Sequence, residues 1–565
     1  MLICGLKLTH DGGLAVVDGD RLLFSTELEK VDGNRRYQPL DRLELVDALL
    51  AREGLRIGDI DRYVVDGWFP APGQDRPRLP LRRHGAPVTL EVAPYAEGDA
   101  APGAGPLHRY RFAGLPLADG EVPYHSYHHA AQHVLGAYLT SPFAADGRSA
   151  LVLVWDGGMV PTLYQVRPDP VRARNLGTLM PVYGSAFADF AAQFEPFRAG
   201  DVDSMVDDHL VPPHLDVAGK AMAFAALGRD EAGFYPVLDA ALGRLPLTFD
   251  AAAELARQVD AQRDTWWPGC ADSDLIATFQ GYLGHRLRRS LRARVAALVD
   301  AGVVAAADGE HCRWCLAGGC ALNIKWNSAL RAADLGEALW IPPFPNDSGA
   351  ALGTAAVELS HAGGARLRWT PRSGPRLTRE PLPAGWDSRP CDAAGLAALL
   401  HEEGEPVVVL HGRAELGPRA LGGRSILAPA TDPKMKGVLN DVKDREFYRP
   451  VAPVCRVERA AEIFDPGCPD PYMLFDHRVR PGWAERIPAV VHLDGTARLQ
   501  TVHAADDPLL AAVLRAYERR SGVPVLCNTS ANARGRGFFP SAAAAARWGR
   551  TRYIWSDGLL HTRRA

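Results

Sequence analysis

An α/β protein of two or more domains is predicted by three features of this sequence. Its 565 residues are enough for two to four domains at about 150 residues each. Apolar, strand-like runs stand near both ends of the chain, at residues 2–8 and 406–410. Between them, the region 185–335 is rich in Ala, Leu and Arg, which indicates helices.

The composition is that of an ordinary globular protein, with 47% hydrophobic and 23% charged residues. A formal net charge of −4 excludes a generally basic nucleic-acid coat, although a local basic pocket remains compatible with it. No apolar run approaches the roughly 18 residues that span a bilayer, and the first residues do not resemble a signal peptide. The nine cysteines are scattered along the chain. We therefore expect a cytoplasmic enzyme in a reducing compartment, with neither membrane nor nucleic acid as partner.

A strand, an Asp-Gly-Gly turn and a returning strand occur twice. In the first copy, His10-Asp11-Gly12-Gly13 follows an apolar run and precedes a hairpin. In the second copy, Asp156-Gly157-Gly158 stands in the same context. Such a repeat predicts a duplicated fold, and actin-like ATPase folds are built this way, with two turns that approach the nucleotide phosphates. A chance similarity between two short segments is the alternative.

Two Pro- and Gly-rich stretches divide the chain. Residues 69–106 predict an exposed excursion rather than core. Residues 362–385 predict a linker between an N-terminal domain at 1–361 and an α/β domain at 386–565.

The pair His129 and His133 indicates a metal site. A helix is predicted over 126–139, and residues four apart lie on one face of a helix. Two imidazoles at that spacing can bind one ion, and Asp156 follows at the end of a predicted strand. The alternative is a polar helix that happens to contain histidines.

Three further segments carry candidate functional groups. Gly318, Gly319 and Asn323 lie where a strand runs into a helix, which suits either a nucleotide or an ordinary turn. Asp347 lies in a Pro-rich loop before a small-residue helix, where Asn-Asp-Ser is also a common cap. The cysteines of the same region suggest zinc only weakly, because no second pair stands at zinc-finger spacing; they are Cys312, Cys315 and Cys320.

A basic cluster marks the C-terminal domain. Arginine forks and short hydroxyls suit a small anion such as phosphate, and apolar strands between them favour a pocket over a solvated charged face. The cluster comprises Arg419, Arg424, Ser425, Lys443, Arg445, Arg449, Arg498, Asn528 and Ser530.

In their order along the chain, these motifs resemble those of the O-carbamoyltransferases of antibiotic and nodulation-factor biosynthesis. The series is His-Asp-Gly, His-x-x-x-His, Asp-Gly, Gly-Gly-x-Ala-Leu-Asn, Asn-Asp, Gly-Pro-Arg-Ala-Leu-Gly-x-Arg-Ser and Asn-Thr-Ser, and the segment 415–427 is its most specific member. The resemblance implies an N-terminal domain of the actin-like (ASKHA) type and a YrdC-like C-terminal domain.

The resemblance also implies a two-step reaction. Carbamoyl phosphate and ATP, with Mg²⁺, form carbamoyl adenylate and release phosphate and pyrophosphate at the C-terminal domain. A hydroxyl of a small-molecule acceptor then attacks this intermediate at the N-terminal domain, beside a divalent metal. The family's metal is Fe²⁺, and nitrogen and carboxylate ligands are also compatible with Zn²⁺ or Mn²⁺.

Residue by residue, the resemblance assigns four sets of side chains. The implied metal ligands are His129, His133, Asp156 and Asp347. The implied general base is His10, with Asp11 beside it. The implied adenylate contacts are Gly157, Gly158, Gly318, Gly319 and Asn323. The implied carbamoyl phosphate and ATP phosphate contacts are Arg419, Arg424, Ser425, Lys443, Arg449, Arg498, Asn528 and Ser530.

Departures from the family pattern cluster at the acceptor side. Gly12 and Gly13 stand where serines are usual, and the acceptor-site lysine has three competing candidates: Lys30, Arg35 and Arg36. The opening segment looks closest to the cephem branch, but the acceptor stays open among a polyketide, its sugar and a cephem. A homodimer is expected from the resemblance. Two alternatives are a threonylcarbamoyl-type tRNA-modifying enzyme and an inactive actin-like nucleotide-binding protein.

Overall fold

The computed structural model describes residues 1–71, 73–99, 103–117, 120–198, 209–304, 313–333 and 338–564. The chain forms two compact units. The N-terminal unit contains Met1–Leu28, Tyr37–Leu322 and Ala329–Ser373. The C-terminal unit contains Gly374–Ala565 together with two short segments from earlier in the chain, Glu29–Arg36 and Asn323–Ser328. Mixed helices and sheets in both units confirm the predicted α/β class.

Thirteen strands are described before residue 374: β1 Leu2–Lys7, β2 Gly13–Asp18, β3 Arg21–Glu27, β4 Arg62–Asp66, β5 Arg78–Arg83, β6 Ala86–Glu91, β7 Tyr110–Leu117, β8 Gly120–Tyr127, β9 Ala150–Val154, β10 Thr162–Arg167, β11 Arg172–Thr178, β12 Arg313–Ala317 and β13 Ala338–Trp340. Eleven follow in the C-terminal unit: β14 Trp386–Pro390, β15 Val407–Leu410, β16 Arg424–Pro429, β17 Ala452–Arg456, β18 Phe464–Asp465, β19 His477–Val479, β20 Thr496–Ala497, β21 Gln500–Val502, β22 Val525–Ser530, β23 Tyr553–Ser556 and β24 Leu559–Arg563.

The described α-helices before residue 374 are α1 Glu29–Asp32, α2 Glu44–Arg52, α3 His129–Leu139, α4 Pro142–Ala145, α5 Ala186–Ala191, α6 Val217–Phe224, α7 Tyr235–Leu242, α8 Ala251–Ala261, α9 Arg263–Trp266, α10 Asp272–Asp300, α11 Ile324–Arg331 and α12 Ala350–His361. Those after it are α13 Ala393–Glu402, α14 Met435–Val442, α15 Val457–Ile463, α16 Pro508–Ser521 and α17 Ala542–Trp548. None of these helices is both long and apolar enough to cross a bilayer.

The N-terminal unit is duplicated in its strand order. Its first sheet runs β3-β2-β1-β4-β8-β7 and its second runs β11-β10-β9-β12-β13. In each sheet, three consecutive strands form an antiparallel meander: β1–β3 in the first sheet and β9–β11 in the second. Two parallel pairings then extend the sheet from the first strand of the meander, through β4 and β8 in the first sheet and through β12 and β13 in the second. The shared order and directions agree with the predicted duplicated actin-like organisation. The apolar runs that predicted strands are the buried central ones; every residue of β9 is buried.

Glycines let the helices that carry the site pack closely. A Cβ at Gly136 of α3 would lie 3.1 Å from Gly353 Cα, and one at Gly353 of α12 would lie 2.4 Å from Gln132 O. A Cβ at Gly5 of β1 would lie 2.1 Å from Ala351 O. Helix α12 therefore presses against α3 and β1 at distances that a larger residue forbids.

The C-terminal unit is built on an eight-stranded mixed sheet of order β14-β24-β23-β15-β16-β22-β17-β21, with a small sheet β18-β19-β20. Helices α13 and α16 pack together over one apolar cluster that includes Leu400 and Leu514. A second cluster includes Ile426, Val525 and Ile554. Both clusters alternate along the central strands, as expected for a sheet covered on two faces.

Two predicted element boundaries differ from the observed ones. The helix expected over 126–139 begins only at His129, because Ser126 and Tyr127 pair with β4 as the end of β8. The excursion 69–106 is not wholly exposed: β5 and β6 form a hairpin that buries Leu79 and Leu81.

Candidate metal centre and anion site

Four side chains converge in the N-terminal unit. His129 and His133 stand on the first two turns of α3, Asp156 lies two residues after the end of β9, and Asp347 precedes α12. His129 Nε2 and His133 Nε2 are 3.2 Å apart, and Asp347 Oδ1 is 3.3 and 3.4 Å from them. The ligand atoms of all four residues lie within 4.8 Å of one another. This geometry is suited to binding a metal ion.

An outer partner fixes which nitrogen of His129 faces the group. Asp66 Oδ2, at the end of β4, lies 2.7 Å from His129 Nδ1. A carboxylate on one ring nitrogen leaves the other as a metal ligand and sets the ring's orientation. Tyr95 Oη and the Gly319 N–H each donate to Asp156, at 2.7 and 2.6 Å. The residues present therefore fit a divalent ion in donor type and in outer-shell support.

Burial makes the electrostatics of this group strong. Burial alone would lower the pKa of His129, but Asp347 and Asp66 outweigh it and hold that pKa well above its ordinary value. Burial alone would raise the pKa of Asp347, but His129, Lys7 and His10 hold it well below its usual range. Without a metal, the cluster thus favours ionised carboxylates and a protonated His129, and a metal ion that binds there displaces the His129 proton.

His10 and Asp11 lie beside this group. His10 Nδ1 is 2.9 Å from Asp11 Oδ2, and His10 Nε2 is 3.3 Å from Asp347 Oδ2. Asp11 has a φ of 54°, a left-handed conformation that is strained for a residue with a Cβ. A Cβ at Gly12 would lie 2.2 Å from Leu40 N, so this close turn requires glycine. The turn places His10 next to Asp347, one of the candidate metal ligands, while its role as a general base stays a prediction.

The predicted adenylate contacts divide into two groups. A Cβ at Gly158 would meet Phe69 and Tyr95, and one at Gly318 would meet Trp155 O at 2.3 Å. Asn323 belongs to the C-terminal unit, and its Oδ1 accepts the N–H groups of Lys325 and Trp326 at the start of α11. Asn323 thus caps the start of α11, and its contact with an adenylate stays a prediction.

An aromatic wall, defined here as Trp68, Phe69 and Tyr95, flanks the centre. Trp68 lies 5.5 Å from His10 and 5.9 Å from His129 between ring centroids. Phe69 and Tyr95 stack at 3.9 Å. The exposed ring of Phe249 lies 5.9 Å from Phe69.

The cysteine cluster does not join the site. Cys312 lies outside the described residues. Cys315 is buried, and Cys320 Sγ donates to Gly184 O at 3.4 Å. Within the part of the chain that the structure describes, the histidine and aspartate group is the one set of three or more suitable ligands that converges.

In the C-terminal unit, the loop 415–424 is held by buried hydrogen bonds. Glu415 Oε1 accepts from the backbone N–H groups of Leu421, Gly423 and Arg424. Lys30 Nζ donates to Glu415 O and Gly417 O at 2.8 and 2.6 Å. Lys30, Arg35 and Arg36 all belong to this unit, and the acceptor-side position suggested for one of them has no support in the N-terminal unit.

Several predicted phosphate contacts have partners within this unit. The Arg424 guanidinium, 2% exposed, donates to the carbonyl oxygens of His411, Gly412, Gly423 and Pro375. Lys443 Nζ donates to Ser530 and Asn532. Ser425 Oγ accepts from Gly422 N at 2.9 Å, and Asn528 Nδ2 donates to Ala420 O and Gln500. These side chains hold the backbone around the basic residues in place through their hydrogen bonds.

Six basic side chains, here called the cationic cluster, lie close enough together that several of them lower the pKa values of their neighbours. Burial, then Arg449 and Arg36, lower the pKa of Arg445 to about 9. Burial, then Arg419, Arg445 and Arg449, lower the pKa of Arg498 well below its usual value. Sequence reasoning did not place Arg36 here, because Arg36 lies far away along the chain. The cluster is Arg36, Arg419, Lys443, Arg445, Arg449 and Arg498.

Arg445 joins two parts of this region. Its guanidinium donates to Thr529 Oγ1 and Ser530 Oγ at 3.1 and 3.2 Å. Mutual repulsion of buried cations is relieved by a bound anion. The arrangement therefore suits a multiply charged phosphate ligand.

Two family models match the chain. The carbamoyltransferase N-terminus model covers residues 2–76 and 118–356, and the carbamoyltransferase C-terminus model covers residues 397–554. Nodulation protein U of Rhizobium tropici is 44% identical over 100% of this chain and 96% of its own. The 3'-hydroxymethylcephem-O-carbamoyltransferase of Streptomyces clavuligerus is 34% identical over 95% of this chain and 94% of its own. Over their full length, the nodulation relatives are thus more similar than the cephem branch suggested by the opening segment.

Among solved structures, full-length HypF in its phosphate- and nucleotide-bound form aligns with 65% of this chain and 56% of its own, at 12% identity and a TM-score of 0.30. At that score the likeness adds nothing to the fold described above. The two family models and the full-length relatives decide the identity: the chain belongs to the carbamoyltransferase family of enzymes.

Proposed function

We propose that this enzyme is an ATP-dependent O-carbamoyltransferase that acts on a hydroxyl of a small molecule. The observation that carries the proposal is the buried His129, His133, Asp156 and Asp347 group beside His10, in a chain of this family. Its substrates are carbamoyl phosphate, ATP and the acceptor, and its intermediate is carbamoyl adenylate.

The first half-reaction belongs to the cationic cluster. Water cleaves carbamoyl phosphate to carbamate and phosphate, and a carbamate oxygen then bonds to the α-phosphorus of ATP while pyrophosphate leaves. Arginine forks bind such phosphate groups in two-point fashion. Arg445, Arg449 and Arg498 are the contacts that we favour, with Arg36 and Arg419. The framework residues Arg424 and Lys443 hold the loops that present them. We take this unit to be YrdC-like.

The second half-reaction belongs to the N-terminal unit. A divalent metal, Fe²⁺ by family analogy with Zn²⁺ or Mn²⁺ as alternatives, would be held by the four ligands and supply Lewis-acid polarisation. His10 accepts the proton of the acceptor hydroxyl, whose oxygen bonds to the carbamoyl carbon while AMP departs. Asp11 orients His10 through Nδ1, which is the usual way a base is held in one tautomer. Gly157, Gly158, Gly318 and Gly319 are the adenylate contacts that the resemblance implies, and of these four only Gly157 has no atom within 4 Å of the position a Cβ would take.

The aromatic wall favours an acceptor with an apolar face next to its hydroxyl. Trp68 approaches His10, and the exposed Phe249 extends the apolar surface past Phe69 and stacks on Tyr183 at 4.3 Å. Rings of this kind bind flat apolar surfaces well. The Streptomyces relative is named for a 3'-hydroxymethylcephem acceptor. That acceptor carries its hydroxymethyl group on a ring system and is therefore of this type.

The decisive experiment is exchange of labelled pyrophosphate into ATP with no acceptor present. We expect exchange that requires carbamoyl phosphate, because adenylate formation is reversible and independent of the acceptor. Exchange without carbamoyl phosphate, or transfer of the carbamoyl group without ATP consumption, would contradict the adenylate route. A panel of hydroxylated acceptors, read by product mass, then identifies the second substrate.

A further inference from the structure

A buried lysine lies among the candidate metal ligands. Lys7 ends β1 and is 1% exposed. Its Nζ is 2.9 Å from Asp66 Oδ2 and 2.7 Å from Asp347 Oδ2, and both carboxylates are 3% exposed. The contact with Asp347 is an ion pair by distance rather than a directed hydrogen bond. The Lys7 ammonium thus contacts both Asp347, a candidate metal ligand, and Asp66, the outer partner of His129.

The two oxygens of Asp347 have different surroundings. Oδ1 faces His129 Nε2 and His133 Nε2, at 3.3 and 3.4 Å. Oδ2 faces Lys7 Nζ, with His10 Nε2 at the longer distance of 3.3 Å. Only Oδ1 is therefore directed at the imidazole nitrogens of the two candidate metal ligands, His129 and His133.

Asp66 is constrained by the same lysine. Its Oδ2 contacts both Lys7 Nζ and His129 Nδ1, the latter at 2.7 Å. Its other oxygen, Oδ1, is buried and has no hydrogen-bond partner among the described residues. Its two contacts keep it in the role of an outer partner.

The position of Lys7 leaves its amine little freedom. β1 is paired on both sides, with β2 and β4. The Trp68 ring covers the amine at 4.6 Å from its centroid. Strand pairing, the Trp68 ring and the two carboxylates therefore hold the amine in one place.

We propose that Lys7 is a positioning residue that restricts Asp347 to coordination through one oxygen and keeps Asp66 out of the coordination shell. Carboxylates bind cations through one oxygen or two, and the number of oxygen ligands separates the preferences of hard ions from those of Zn²⁺. Lys7 thus determines how many coordination positions of the metal ion the protein fills and how many remain for substrate. The inference rests on the metal binding in the proposed function, but not on carbamoyl transfer.

The test uses Co²⁺ as a spectroscopic probe in the full chain. In Lys7→Met, we expect the visible absorption of bound Co²⁺ to lose intensity, because coordination rises when Asp347 binds through both oxygens. We also expect the affinity for Mn²⁺ relative to Zn²⁺ to rise by about tenfold or more, the usual scale of outer-shell changes. Lys325→Met is the matched control: Lys325 also bridges two aspartates, Asp476 and Asp494, but in the C-terminal unit.

A second variant keeps the test valid if Lys7→Met fails to fold. Lys7→Met/Asp66→Asn removes one buried charge of each sign and still frees Asp347 Oδ2, so the same spectral change is expected. Asp66→Asn alone should weaken metal binding, because His129 loses its outer partner, but it should not cause the loss of Co²⁺ absorption, because Lys7 still holds Asp347. A wild-type spectrum and metal ratio in both Lys7 variants would overturn the proposal. Failure of the wild-type chain to bind Co²⁺ would overturn the metal site and this role together, whereas pyrophosphate exchange would still test adenylate formation.

Discussion

At the scale of single residues, the two half-reactions depend on different side chains. The metal ligands lie in the N-terminal unit, while the cationic cluster lies in the C-terminal unit. Substitutions should therefore separate the chemistry into two parts, each with its own assay.

His129→Ala should abolish metal binding and carbamoyl transfer while leaving adenylate formation intact. The substitution removes a ligand, so we expect a larger loss than the roughly 10- to 100-fold that follows loss of an outer-shell partner. Metal content, product formation and carbamoyl-phosphate-dependent pyrophosphate exchange are the three measurements. The exposed His285 provides the control, His285→Ala. Equal loss of both half-reactions in His129→Ala would contradict the two-site scheme.

Arg445→Met should weaken carbamoyl phosphate binding without destabilising the unliganded enzyme. A hydrogen bond to a charged group contributes about 1.5–3 kcal/mol, so the KM should rise roughly 10- to 150-fold. Burial and neighbouring arginines already disfavour the Arg445 charge, so its removal relieves repulsion, and the Tm of the free enzyme should not fall.

Arg424→Met provides the contrasting variant. It orphans several buried carbonyl oxygens, so it should cost at least about 2 kcal/mol and lower the Tm. A fall in the Tm of Arg445→Met, together with an unchanged KM, would reverse these two assignments.

The sequence predicted part of the site because part of it is local. His129 and His133 lie one helical turn apart, so their spacing alone indicates a shared ion. Lys7 could not be found in this way, because a lysine in an apolar strand reads as an edge residue until the fold places two aspartates beside it. Arg36 was missed for the same reason: its neighbours in the cationic cluster come from the other end of the chain.

At the scale of elements, the turn after β12 positions a ligand. Gly318 has a φ of 89°, and its N–H donates to Pro345 O at 2.7 Å. The next N–H, from Gly319, donates to Asp156. The backbone of this turn thus holds Asp156, one of the four candidate metal ligands, through a hydrogen bond.

Gly318→Ala should destabilise the enzyme and reduce its metal content. A Cβ there would lie 2.3 Å from Trp155 O in a left-handed conformation, which costs about 1–3 kcal/mol or more. Thermal unfolding and metal analysis check this prediction. The matched control is Gly157→Ala, because a Cβ at Gly157 meets nothing within 4 Å. Equal stability of the two variants would show that the turn relaxes freely.

Elements were predicted well where burial sets the pattern. The strand–turn–strand repeat around Asp11 and Asp156 corresponds to β1–β3 and β9–β11. The start of α3 was misplaced, because Ser126 and Tyr127 are compatible with a helix until β4 pairs with them. Pairing between distant strands, rather than local propensity, decided that boundary.

At the scale of the whole molecule, the C-terminal unit is discontinuous. Lys30 bonds to the loop 415–424, and Gly537 N donates to Asn34 O at 2.8 Å. From the second inserted segment, Asn327 Nδ2 donates to Leu474 O and Lys325 to Asp476. No linear domain boundary drawn near residue 380 captures this unit.

A fragment of residues 374–565 should therefore be less stable than the same unit in the full chain, and should bind carbamoyl phosphate poorly. It lacks Lys30 and Arg36, so the loop 415–424 loses two hydrogen bonds and the cationic cluster loses a member. Hydrogen exchange across 415–424 and the ligand-induced rise in Tm are the measurements. Protection and ligand stabilisation equal to those of the full chain would contradict this prediction.

The contact between Lys30 and the loop 415–424 also limits how early this unit can assemble during synthesis of the chain. Lys30 and its partner Glu415 are 385 residues apart, so at about 5–20 residues per second the ribosome needs roughly 20–80 seconds to make the second after the first. Throughout that interval the segment Glu29–Arg36 has no loop 415–424 to dock on. The cationic cluster, which combines Arg36 with residues as late as Arg498, is therefore complete only after most of the polypeptide exists, and a shorter translation product lacks this assembled anion site.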